Sequence, residues 1–197
     1  MSGGTRSILI ALLYPPLLLA AREPAPHKET IAIPMRDGAR LAADLFLPPG
    51  YSKEKSPERL PVILITTPYD RTRENAAGYW RECFLRNGYA FVAQDMRGMH
   101  GSAAAGRGAS RHGDGYDTVE WIAGQPWCNG KVGMIGCSHL GAVQYETAVA
   151  GPPHLACAIP AQAPGNYHTD PYYPEKFRKA DMETLLRGAF TSRTQQL

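Results

Sequence analysis

Apolar positions along this 197-residue chain fall into two kinds of run. Some are short and almost unbroken, such as PVILIT at 61–66, YAFVAQ at 89–94 and VGMI at 132–135. Others are longer and interrupted, as at 116–125, where Val119, Ile122 and Ala123 share one helical face. An unbroken run bounded by turn signals predicts a strand covered on both faces, and 3.6-residue spacing predicts a helix. On these rules strands are expected at 30–34, 40–47, 61–66, 89–94, 132–135 and 155–159. Helices are expected at 76–86, 116–125 and 140–150. Arg36-Asp37-Gly38 reads as the turn between the first two strands. Residues 48–59 and the glycine-rich stretch 96–115 read as loops. Strands alternating with helices argue for an α/β fold, a mostly parallel sheet with helices on both faces.

The first residues follow a different pattern. Arg6 precedes an apolar stretch at 8–21 that Pro15 and Pro16 interrupt and that ends in Ala20 and Ala21. It is too short and too broken for a membrane span, and it fits a secretory signal peptide over residues 1–21. The expectation is a secreted or periplasmic protein without a stable membrane anchor. With 44% hydrophobic and 20% charged residues the composition is that of a globular chain. The net charge of +3 is spread along the sequence without a basic stripe, so no nucleic-acid partner is expected. Four cysteines allow three pairings in an oxidising compartment. Their spacing matches neither a redox motif nor a zinc site, and no metal or cofactor is expected. Cys137 and Cys157 sit in or beside apolar strands, where a free cysteine acts as a small core residue.

One short stretch carries candidate chemistry. In KVGMIGCSHLG (131–141) an apolar strand ends in Gly136, Ser138 follows, and Gly141 opens the next helix. In a parallel sheet, chemistry collects at the carboxyl ends of the strands. A serine hydroxyl is a weak nucleophile unless a base takes its proton and the backbone presents its oxygen. A strand–Gly–x–Ser–helix turn does the presenting, but here it is one residue longer than the common pentapeptide. The pattern leaves two readings open, a nucleophile elbow and an ordinary strand-to-helix turn. A thiol enzyme built on Cys137 is the weaker idea, because the flanking glycines are placed for Ser138. His139 is too near in sequence to fold back as its base.

Four blocks in order, PMRDGARLAADLFLPPG (34–50), LPVILITTPYDRT (60–72), NGYAFVAQDMRGMHGS (87–102) and the stretch 114–163, resemble the X-Pro dipeptidyl-peptidase and cocaine esterase group of serine hydrolases. That group includes the α-amino acid ester hydrolases and has the α/β-hydrolase fold. The resemblance covers the N-terminal part of the catalytic domain, residues 28–165, and implies that Ser138 is the nucleophile. It implies an oxyanion hole made by the Tyr69 hydroxyl and the backbone N–H of His139. One lost donor of that kind costs about 10²–10³ in rate. The Asp95-Met96-Arg97-Gly98 segment matches a family D-x-R-G motif, with Arg97 expected to brace neighbouring loops. The family usually has tyrosine where this chain has His139. That change keeps the backbone donor and alters the surface beside the serine.

In the family the triad runs Ser, Asp, His, with the last two far downstream beyond a helical cap. Beyond the turn itself, the histidines and aspartates after His139 are His154, His168, Asp170 and Asp181. None has the expected order or placement. His154, in the turn before a strand, is expected to be solvated. Residues 166–197 resemble the entry to the cap or form an irregular tail. The expectation is therefore an α/β-hydrolase sheet truncated before the cap and last strands. Such a chain is a serine esterase or peptidase acting on a small-molecule ester or peptide, incomplete as it stands. The alternative is an inactive relative or a secreted binding module that keeps the fold without the triad. An unpaired sheet edge would favour self-association.

Overall fold

The computed structural model describes residues 26–56, 58–73, 78–106 and 111–163. The expected signal segment and the stretch 166–197, with His168, Asp170 and Asp181, lie outside the described residues.

Asp37-Gly38 makes the turn its composition predicts. The Met35 N–H donates to the Ala39 carbonyl (2.8 Å), the Asp37 carboxylate accepts the Ala39 N–H (3.1 Å), and Gly38 takes φ +85°. This turn joins β1 (His27–Pro34) to β2 (Arg40–Leu47) as an antiparallel pair, with His27 opposite Leu47. The chain continues through β3 (Leu60–Thr67), α1 (Gly78–Arg86), β4 (Ala90–Asp95), a 3-10 helix (His100–Ala105), α2 (Arg111–Ala123), β5 (Cys128–Cys137), α3 (His139–Ala150) and β6 (Leu155–Ala161). The strands lie in the order β1-β2-β4-β3-β5-β6. β2 is antiparallel to β4, and the pairs β4–β3, β3–β5 and β5–β6 are parallel. This is the α/β sheet that the alternating pattern predicts.

The central strands are unbroken apolar runs because both of their faces are covered. Val62, Leu64, Val92, Val132 and Met134 pack on one side with Val119 and Ile122 of α2 and Val143 of α3. Their neighbours Ile63, Ile65, Phe91, Ala93 and Ile135 pack on the other side with Leu85 of α1 and Leu140. The period of two along a strand sends successive side chains to opposite faces. Each large aliphatic or aromatic side chain so buried contributes roughly 1.5–3 kcal/mol.

Two expectations need correction. Residues 96–115 are not one open loop, since they hold the 3-10 helix and the first turn of α2, which starts at Arg111 rather than 116. Tertiary contacts stabilise this glycine-rich start: Arg97 donates to both oxygens of Asp114 in the first turn of α2 (Nε–Oδ2 2.8 Å, Nη2–Oδ1 2.6 Å). Arg97 also meets Asp37 and the Ala105 carbonyl, so it does brace the surrounding loops. Its bonds to Asp114 hold its proton affinity well above the ordinary arginine value. Second, Cys137 and Cys157 are exposed, and the buried thiol is Cys128. Cys137 emerges at the end of β5, and Cys157 lies on an edge strand. All four thiols are free. The apolar strand β6, last in the order of described strands, is largely exposed, with Ile159 at 52%. No further described strand pairs with it.

Candidate active site

β3 and β5 are neighbouring parallel strands, so both deliver their carboxyl ends to the same edge of the sheet. Tyr69 follows β3 by two residues, and Ser138 follows β5 directly. Both residues are exposed, Tyr69 at 54%. His139 is the first residue of α3 and half-buried. Its N–H belongs to the first turn, whose donors the helix itself leaves without acceptors and toward which the helix dipole draws negative charge.

The turn at Ser138 is a strained apex. Ser138 has φ 57° and ψ −122°, a region that an L-residue enters at about 1–3 kcal/mol and holds only when its surroundings enforce it. The Ser138 N–H donates to the Ala161 carbonyl at the end of β6 (3.0 Å). Its carbonyl accepts the N–H groups of Gly141 and Ala142, both at 3.0 Å. Gly136 sits at φ +150°, and a Cβ there would lie 2.5 Å from the Leu140 Cβ. A Cβ on Gly141 would lie 2.6 Å from the Ala163 Cβ and 3.1 Å from the Ala161 oxygen. The two glycines are thus required by close approach, and the extra residue between them is absorbed in the first turn of α3.

Gln144, a residue the sequence pattern did not single out, ties the apex together from within α3. Its fully buried amide donates to the carbonyls of Leu140 (3.1 Å), Gly136 (3.3 Å) and Ile159 (3.4 Å). One side chain therefore links β5, α3 and β6 beneath Ser138.

The loop carrying Tyr69 is also held tightly. The Tyr69 N–H donates to Thr67 Oγ1 (3.0 Å), and the His100 ring nitrogen Nε2 lies 2.9 Å from the Pro68 carbonyl. Asp70 takes φ +77°, and its carboxylate accepts the Thr72 hydroxyl (2.7 Å) and N–H (3.0 Å). Those bonds to Thr72, first the hydroxyl and then the N–H, hold the Asp70 carboxyl below the usual carboxylate range. Arg71 turns inward between two fully buried carboxylates, Asp44 of β2 and Asp95 of β4. The sequence signal for this cluster was Asp44, a lone acid in the strand RLAADLFL.

The residues considered as bases divide differently. His154 is exposed but not merely solvated: its N–H and its Nδ1 both meet the carboxylate of Glu120 (3.2 and 2.8 Å). It precedes β6, and its carbonyl accepts the Val132 N–H at the start of the β5–β6 pairing. Five residues of strand, at about 3.3 Å each, separate Val132 from Cys137, so His154 lies at the opposite end of the sheet from Ser138. His100 and His154 are engaged elsewhere, at the Pro68 carbonyl and the Glu120 carboxylate.

Residues 37–196 match the X-Pro dipeptidyl-peptidase (S15) family. The chain is 37% identical over 148 residues to a cocaine esterase from a Rhodococcus species, an alignment covering 73% of this chain and 25% of the relative. Among solved structures, an α-amino acid ester hydrolase superposes with TM-score 0.60 at 29% identity, covering 81% of this chain and 29% of that one. A CocE/NonD family hydrolase from Staphylococcus aureus superposes with TM-score 0.56 at 26% identity, covering 68% and 27% of the two chains. The chain thus spans about a quarter of the length of the curated relative it matches.

Proposed function

Because the chain belongs to the X-Pro dipeptidyl-peptidase (S15) family, we propose that it carries the nucleophile and oxyanion groups of a serine esterase or peptidase. Ser138 Oγ attacks the carbonyl carbon of an ester or amide. The Tyr69 hydroxyl and the His139 N–H receive the charge that develops on the carbonyl oxygen. The acyl group passes to Ser138 as the alcohol or amine leaves, and water then releases it as the acid. The base that takes the Ser138 proton comes from outside the described residues. The observation that carries this reading is the strained backbone of Ser138 between Gly136 and Gly141 at the carboxyl end of β5. An ordinary strand-to-helix turn has no need of that strain, and such strain collects at functional sites.

A fluorophosphonate, which phosphonylates activated serines, tests the assignment. Prolonged incubation of the chain followed by peptide mapping is expected to find the adduct on Ser138 alone. The adduct is expected to form slowly, because His100 and His154 are held by Pro68 and Glu120. An adduct confined to another serine, or none at all, would leave the non-catalytic binding module as the better account.

Self-association is part of the same proposal. Every residue of β6 is apolar, yet Ala156, Cys157, Ala158 and Ile159 are exposed. An apolar strand at a sheet edge recruits other chains. Sedimentation velocity at micromolar concentration is expected to show dimers or larger species. A clean monomer with a sharp cooperative melt removes this part.

A further inference from the structure

Arg71 has no part in the acyl-transfer steps, yet it is among the most elaborately held side chains of the molecule. Its guanidinium is nearly buried, with Nη1 on Asp95 Oδ2 (2.5 Å) and Nε 3.3 Å from Asp44 Oδ1. Its own N–H donates to the other Asp95 oxygen (2.8 Å). Both carboxylates are fully buried, and each has further partners: Lys28 and Thr30 on Asp44 (3.0 and 2.8 Å), and the Gly101 N–H on Asp95 (2.9 Å). The 3-10 helix closes over the cluster so tightly that a Cβ on Gly101 would lie 2.3 Å from Arg71 Nη1. Burial works against the charge on Arg71, but the bonds to Asp95 and the field of Asp44 outweigh it and leave its proton affinity raised.

Charges taken out of water in this way are weak sources of stability, because desolvation consumes most of the attraction, whereas their directional bonds fix geometry. The geometry fixed here is the loop after β3. Tyr69 lies two residues before Arg71, and Asp70 between them is held at φ +77°. The inward anchor at 71 and the left-handed residue at 70 together set where the backbone presents residue 69. We infer that Arg71 is a positioning residue: clamped between Asp44 of β2 and Asp95 of β4, it holds the Tyr69 hydroxyl in the oxyanion position. This rests on the reading of Tyr69 as an oxyanion donor.

The test uses the full chain labelled with 3-fluorotyrosine. It has ten tyrosines, and Tyr69→Phe assigns the 19F resonance of Tyr69 by its loss. In Arg71→Gln/Asp44→Asn, which removes one charge of each sign, the Tyr69 resonance is expected to move and broaden while the others keep their positions. A Tyr69 resonance unchanged in this folded variant would overturn the inference. Arg71→Lys keeps the charge but lacks the planar fork, so it should give the same Tyr69-specific change if the double variant fails to fold. Amide hydrogen exchange on the parent chain gives a reading that needs no variant. The Tyr69 and Arg71 amides should be protected at least about 100-fold over an open loop, and free exchange at both would equally sink the idea. These readings do not depend on turnover. Failure to find any Ser138-dependent reaction would remove the acyl-transfer reading and leave the positioning result to stand or fall on the spectra.

Discussion

Joined to a segment of a longer relative that brings an imidazole to Ser138, the chain is expected to hydrolyse p-nitrophenyl acetate about 10⁴- to 10⁶-fold faster than alone. Ser138→Ala is expected to abolish the whole of that gain. The argument follows the division of labour in acyl transfer. In the proposed site, presentation of the nucleophile and stabilisation of the oxyanion fall to Gly136, Ser138, Gly141, the His139 N–H and Tyr69. Removal of the serine proton does not. His154 is bound to Glu120 at the far end of β5, and the His100 ring is engaged by the Pro68 carbonyl. Nucleophile and base act as a unit, so either one without the other is worth little. The 197-residue chain alone should therefore run barely above background. Rapid, stoichiometric phosphonylation of Ser138 in that chain would show a base already in place, with His168 the first candidate. The half-built site would then be wrong.

Gly136→Ala is expected to be the most damaging small substitution near the apex. It places a Cβ 2.5 Å from the Leu140 Cβ and does so at φ +150°, where L-residues are strained. Overpacking and backbone strain each contribute about 1–3 kcal/mol, and about 3 kcal/mol together is the expected loss. For a domain of this size that corresponds to a fall of about 6–12 °C in Tm. The relief available to the chain is a shift of the first turn of α3, which would also loosen the Gln144 bonds to Gly136 and Leu140. A melt within about 2 °C of the parent would mean that the apex is softer than its contacts imply. Alanine at Gly38, whose Cβ would meet nothing within 4 Å, is the matched control for positive φ alone.

What the sequence by itself determined was the part of the molecule governed by local periodicity. PVILIT and YAFVAQ had to be central strands, because alternate residues of an unbroken apolar run need cover on both faces, and α1 on one side and α2 with α3 on the other supply it. The turn at Asp37-Gly38 and the strand–helix junction at Ser138 were legible for the same reason, since each is set by neighbours in the chain. Tertiary structure decided what depends on partners distant in sequence. The glycine-rich start of α2 is helical where propensity argues against it, with Asp114 in its first turn bound to Arg97. Asp44, an acid within an apolar strand, is met by Arg71 and Lys28, which are distant from it in sequence. Cys137 and Cys157 read as small core residues but stand exposed, because apolar surroundings in sequence record a need for cover and not whether a neighbour supplies it. The spacing of Gly136, Ser138 and Gly141 allowed either an ordinary turn or a strained one. Only the packing of Leu140, Ala161 and Ala163 around those glycines forces Ser138 into the strained conformation, because steric exclusion acts between surfaces that the linear sequence does not bring together.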